Sequence, residues 1–180
     1  MQESQPRFLP LAAKTVVCHT ITYMIMGALA YHFLHYADFI NDPKSGMQPV
    51  SSLWVMLGAP LLVFRGVLFA SVFYPLRSRL FGNRDGWLVM AWILIGIGIL
   101  GTFAAPAGSL EGFIYTTTPI LNQIRGYLEI VTQALLLSAL LCYWVNHPEK
   151  KWLNWLLSAG YVICIGLPLL GLLAQNMQKH

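Results

Sequence analysis

Five stretches of the chain, residues 15–37, 51–75, 87–108, 119–144 and 152–174, each approach or exceed the ~20 apolar residues a helix needs to cross a hydrocarbon core of roughly 30 Å. This pattern constrains the fold more than any other feature. In hydrocarbon, every backbone N–H and C=O must be bonded within the protein, and a run of this length achieves that as an α-helix. The expected fold is an all-α, polytopic integral membrane helix bundle of about five transmembrane helices, forming a single domain over residues 1–180. Composition agrees: 57% of residues are hydrophobic and 10% are charged, too few charges to cover a soluble surface. Helix breakers occupy the connections: Asn41, Asp42, Pro43, Gly46 and Pro49, then Gly82, Asn83 and Gly86, then Pro106 and Gly108, then Asn146, His147 and Pro148.

The cations give the sidedness. Alternate connections separate them, with Arg7, Lys14, Arg77, Arg79, Arg84, Lys150 and Lys151 on one side and Lys44 and Lys179 on the other. Short cytoplasmic loops carry the positive excess, so the N-terminus is expected in the cytoplasm and the C-terminus outside. Trp54, Trp87, Trp144, Trp152 and Trp155 fall near the ends of the runs, where interfacial aromatics belong, and Trp92 lies deeper. Lys14 and the sequence Ala28-Leu29-Ala30 resemble a signal peptide and its cleavage site. The apolar character continues past Ala30, so a retained helix is expected. Cys18, Cys142 and Cys164 all lie within runs and form no CxxC pair, which makes them packing residues.

Against this apolar background a few polar residues need a reason. An ionisable group in hydrocarbon costs roughly 2.5–3.5 kcal/mol, and Arg65 lies near the middle of the second run. In the fourth run, Asn122, Arg125, Glu129 and Gln133 recur at helical spacing and share one face, expected to line a bundle interior, a cavity or a subunit interface. Arg65 and Glu129 are expected at similar depth, where they would pair. Arg125 competes for the same carboxylate, and the surplus positive charge suits a bound carboxylate or phosphate.

The connection from Pro106 to Pro119 is small, hydroxyl-rich and apolar. Ser109 is expected to cap a short helix with Glu111 in its first turn, and Thr118 and Pro119 to be the cap and first residue of the fourth helix. Two courses fit the segment: an ordered outer loop, or a dip back over the outer mouth of the polar stripe. His19, placed near the cytoplasmic side, and His32 and His35 near the outer side read as interfacial hydrogen-bonding residues, in preference to metal or haem ligands. Pro60 and Pro168 are expected to kink the second and fifth helices.

The chain contains no phosphate-binding Gly-Lys-Ser/Thr loop, no His-Glu-x-x-His and no Gly-x-Ser-x-Gly. Asp38 and Asp42 read as a hydrated loop, and Arg77, Arg79 and Arg84 as groups attracted to anionic lipid. No nucleic acid, metal or cofactor is expected, and no catalytic residue is assigned.

Three functions follow in order: a carrier or binding protein for an anionic or amphipathic small molecule, a membrane enzyme acting on lipid with Glu111 or Glu129 as acid or base, and an accessory or assembly subunit. The candidate ligand-binding residues are Arg65, Glu111, Asn122, Arg125, Glu129 and Gln133. Expected partners are the lipid bilayer, a small anionic or lipid ligand, and a second copy or a membrane protein. The expected location is a bacterial inner (plasma) membrane.

Overall fold

The computed structural model describes residues 5–34, 36–41, 48, 52–102, 106 and 108–177. The readings placed on His35, Asp42, Pro43, Lys44, Gly46, Pro49, Lys179 and His180 lie outside the described residues, as does the side chain of Trp54.

Every regular element among the described residues is helical. Three helices are long and apolar enough to cross a membrane: α1 (Phe8–Phe33), α8 (Ile120–Asn146) and α9 (Lys151–Met177). Between α1 and α8 lie the short α2 (Tyr36–Asn41) and α3 (Leu53–Met56), then α4 (Gly58–Phe73), α5 (Arg77–Leu80), α6 (Gly86–Ile95) and α7 (Gly112–Tyr115).

Several expected boundaries move, each for a local reason. α1 starts at Phe8 rather than 15, because Pro10 falls in the first turn, where N–H groups have no acceptor within the helix anyway. It stops at Phe33 rather than 37. The expected second span divides at Leu57. Ser52 Oγ accepts from the Val55 N–H at 3.2 Å to start α3, and α4 restarts at Gly58, which leaves Pro60 in a first turn instead of at a mid-helix kink. Within the expected third span, 87–108, α6 passes into a π-turn at Gly96–Leu100, and residues 103–105 and 107 lie outside the described residues. There Gly101 N–H reaches back to the Gly96 carbonyl at 2.9 Å. The apolar helix Gly86–Leu100 is therefore about 22 Å long, shorter than a hydrocarbon core. Pro119 caps α8 rather than opening it, its carbonyl accepting from the Asn122 and Gln123 N–H groups. Pro168 lies inside α9 as expected.

α1 is the hub, packing against α4, α8 and α9, while α6 packs on α8. Small residues allow the close approaches. At Gly66 of α4 an added Cβ would come 2.7 Å from Val16 Cα of α1, and at Gly160 of α9 it would meet Ile21 Cδ1 at 3.4 Å. Buried apolar residues at one end of the bundle, among them Leu11, Phe73, Leu80, Met90, Leu141 and Trp144, join α1, α4, α5, α6 and α8.

Much of the exterior is apolar: Phe64, Leu68, Trp92, Leu121, Trp155 and Val162 are all exposed. Polar side chains go inward. Thr15, Thr22 and Ser138 are buried and donate to carbonyls of their own helices at 2.8–2.9 Å. Apolar residues outside and self-satisfied hydroxyls inside are the arrangement expected where lipid, not water, is the solvent.

The expected cytoplasmic cations gather at one end of this bundle. The Phe8 ring packs edge-on against Tyr74 at 5.4 Å, Lys14 Nζ donates to the Trp144 carbonyl at 2.9 Å, and Gly82 N–H donates to Asn146 Oδ1 at 2.9 Å. These contacts bring the start of α1, the α4–α6 connection and the α8–α9 connection together. Trp144, expected at the interface, is instead buried there, with Nε1 donating to Asn154 Oδ1 at 2.5 Å.

Candidate functional site

Gly66 sets the site's geometry by bringing α4 onto α1. Arg65, the residue before it, and Phe69, about one turn after it, face His19, with the Phe69 ring edge-on to the imidazole at 4.9 Å and the Arg65 guanidinium carbon 5.6 Å from the Phe69 ring centre. A cavity of about 220 Å³ opens beside them. Its walls are His19 of α1, Arg65 and Phe69 of α4, Leu94 of α6, Gly98 and Ile99 of the π-turn, Thr102, and Ile130, Gln133, Ala134 and Leu137 of α8. His19, Arg65 and Gln133 each sit near the midpoint of their own helix.

Pro106, Gly108 and Ser109 close the remaining wall. Gly108 adopts φ +93°, a left-handed conformation that favours glycine, and its N–H donates to Gln123 Oε1 at 3.2 Å. Gln123 Nε2 donates in turn to the Thr118 carbonyl at 3.0 Å, so one buried glutamine holds both ends of the segment. Ser109 Oγ accepts from Gly112 N–H at 2.9 Å and donates to the Pro106 carbonyl at 2.9 Å, but α7 begins at Gly112, so its cap position falls to Glu111 rather than to Ser109 and no acid lies in its first turn. The segment also bonds back to the π-turn through Leu110 N–H and the Leu100 carbonyl at 3.0 Å.

Two of the residues expected at a site, Arg65 and Gln133, meet in this cavity. Asn122, Arg125 and Glu129 are half-buried on α8 and Glu111 is exposed beside α7, and none of these four lines it. The physical reason is the rotation of α8. Its buried residues are Gln123, Ala134, Leu137, Ser138, Leu141, Cys142 and Trp144. At 3.6 residues per turn the stripe is centred about 120° round the helix from that face, so only Gln133, at its inner edge, reaches the cavity.

Glu129 comes within electrostatic reach of Tyr36 instead. The expected Arg65–Glu129 pair does not form among the described residues, where the ion pair present is the exposed Arg79–Asp85 at 2.9 Å. Arg65 is thus the one charged side chain among the residues lining the cavity.

His19, Thr102 and Ser109 are cavity residues that sequence reasoning missed. The early start of α1 explains His19. It moves the residue from near a helix end to near the middle, where it is fully buried and neither ring nitrogen has a hydrogen-bond partner. The expected interfacial hydrogen bonding is therefore corrected. No group of three or more His, Cys, Asp or Glu side chains among the described residues is placed to hold a metal ion. A comparison of the chain with family models, curated proteins and solved structures finds no match.

Proposed function

We propose that the chain is a five-span protein of an inner (plasma) membrane, cytoplasmic at its N-terminus and external at its C-terminus. In this reading its central cavity binds, and in a carrier would pass, an anionic or amphipathic small molecule. The observation that carries the reading is Arg65: a permanently charged guanidinium at mid-helix, on a cavity wall, with no carboxylate bonded to it among the described residues. A charge in such a place is expensive to insert and is stabilised by an anion that enters beside it. Gln133 adds a neutral donor and acceptor on the opposite helix.

The test is the thermal midpoint of the purified chain in mild detergent, with decanoate or decyl phosphate as probe. A saturable rise in the wild type that disappears in Arg65→Gln and partly survives in Arg65→Lys supports the site. An equal rise in all three proteins, or none in any, sinks it.

A second reading is favoured by one observation, the half-exposed Asn122, Arg125 and Glu129 on the flank of α8. A partner helix would bury such groups, making the chain an accessory subunit, and copurification of a stoichiometric membrane partner would select it.

A further inference from the structure

We infer that the cavity takes the head of an amphipathic acid carrying a single negative charge, a carboxylate on an apolar chain, and that His19 is a recognition residue for that head. The inference rests on the reading of the cavity as an anion site and adds the class of anion and a second side chain that holds it.

His19 is 0% exposed, lines the cavity with Arg65 and Gln133, and leaves both Nδ1 and Nε2 without a hydrogen-bond partner. The rings of Phe69 and Tyr23 touch the imidazole at 4.9 and 6.0 Å between centroids, and satisfy neither nitrogen. Buried polar groups are nearly always bonded, and the neighbouring Thr15 and Thr22 of the same helix obey that rule through their own backbone. Thr20, whose hydroxyl is also unpaired, does not line the cavity. His19 does, and although neither nitrogen is exposed in the empty cavity, neither is committed to a protein partner, so a small displacement of the wall presents both to whatever enters. An imidazole in its neutral form supplies one N–H donor and one acceptor.

Charge balance selects the class. Arg65 is the single charged side chain among the residues lining the cavity; it is exposed at mid-helix, and in the membrane setting proposed above the hydrocarbon around it tolerates little uncompensated charge. A dianion would leave one negative charge unmatched, a cation would meet Arg65 unfavourably, and a monoanion closes the balance. The guanidinium fork takes the two oxygens of a carboxylate side by side, and the remaining lone pairs can accept from the imidazole N–H and the Gln133 amide. Phe69, Leu94, Ile99 and Leu137 make the rest of the wall apolar, and the cavity is open where Arg65 and Gly98 are exposed, which gives an acyl chain its way toward lipid.

The test uses the full-length chain in phosphatidylcholine nanodiscs at about pH 8, where a phosphate monoester carries close to two charges. The probes are decanoate, decyl phosphate, decanol and decyltrimethylammonium, each measured against protein-free nanodiscs. Imidazole nitrogen shifts are followed in protein labelled with nitrogen-15 histidine, the His19 signals being assigned by their loss in a variant.

Expected results are saturable binding of decanoate, weaker binding of decyl phosphate, none of the alcohol or the ammonium, and movement of the His19 signals with decanoate. His19→Phe should weaken decanoate binding about ten-fold or more, the loss of one hydrogen bond to a charged group. His19→Gln, which keeps a donor, should bind at intermediate strength, and carries the assignment if the Phe variant does not fold. Decanoate binding that Arg65→Gln abolishes but that leaves the His19 signals unmoved and is unchanged in the His19 variants overturns the role of His19 and leaves the Arg65 site standing. Tighter binding of decyl phosphate overturns the single-charge assignment alone. No saturable binding of either anion overturns both.

Discussion

The Lys14 ammonium, in the second turn of α1, donates to the main-chain carbonyl of Trp144 in the last turn of α8 at 2.9 Å, and lies 5.2 Å from the Trp144 ring centre. The last carbonyls of a helix lack partners within it and carry the negative end of its dipole, so a cation placed there both satisfies an acceptor and meets a favourable field. Lys14→Met is expected to lower stability by about 1–2 kcal/mol, with Lys14→Arg milder. Denaturation midpoints in one mild detergent check this. An unchanged midpoint for the Met variant would mean the contact contributes nothing.

The contact between Gly66 and Val16 predicts a contrast between two glycines. A Cβ at Gly66 would lie 2.7 Å from backbone, so Gly66→Ala must push α4 off α1 at a cost of about 1–3 kcal/mol. At Gly126 of α8 nothing lies within 4 Å of an added Cβ, and Gly126→Ala should gain up to about 1 kcal/mol in helix propensity. Equal effects of the two substitutions in the same denaturation assay would refute the packing account.

His19 should oppose stability to binding. Its unpaired nitrogens cost about 1–3 kcal/mol of desolvation without return, and phenylalanine fills a similar volume with no polar atom. The ligand-free His19→Phe protein is therefore expected to melt higher than wild type. A lower melting point would show that the imidazole is satisfied in the folded protein.

Gln123 bonds both Gly108 and Thr118, so Gln123→Leu removes two hydrogen bonds at once. The expected loss is about 1–3 kcal/mol, with local opening concentrated in residues 108–118. Hydrogen exchange followed by mass spectrometry should show faster exchange there and little change in α9. Uniform acceleration along the chain would contradict the local role.

The clustering of basic residues at one end of the bundle predicts the sidedness of labelling. In sealed inside-in vesicles, a cysteine placed at Glu149 should resist an impermeant maleimide until the membrane is opened, and one at Thr117 should react at once. The reverse pattern would invert the topology. Cys18 and Cys142 are buried and give little background, and the partly exposed Cys164 is replaced by serine in both proteins.

The last two helices were legible to within about two or three residues at each end, 119–144 against Ile120–Asn146 and 152–174 against Lys151–Met177, because proline and a polar cluster punctuate long apolar runs. α1 begins ahead of its apolar run because Lys14, the charge that bounds that run in the sequence, lies within the helix and places its ammonium on the end of α8. Gly96 and Gly98, within the third run, mark where it loosens into a π-turn.

By itself the sequence determined the all-helical, apolar class of fold and the presence of a few polar groups too costly to leave without a role, since these follow from transfer energies summed along the chain. Which of those groups meet was decided by tertiary structure. Periodicity tells which residues share a face of α8, but the direction of that face depends on how Gly66, Gly160 and the buried residues of α1 let the helices close on one another. That packing turned Asn122, Arg125 and Glu129 to a flank and brought Arg65 and Gln133 into one cavity with His19, a residue the chain order had placed near a helix end.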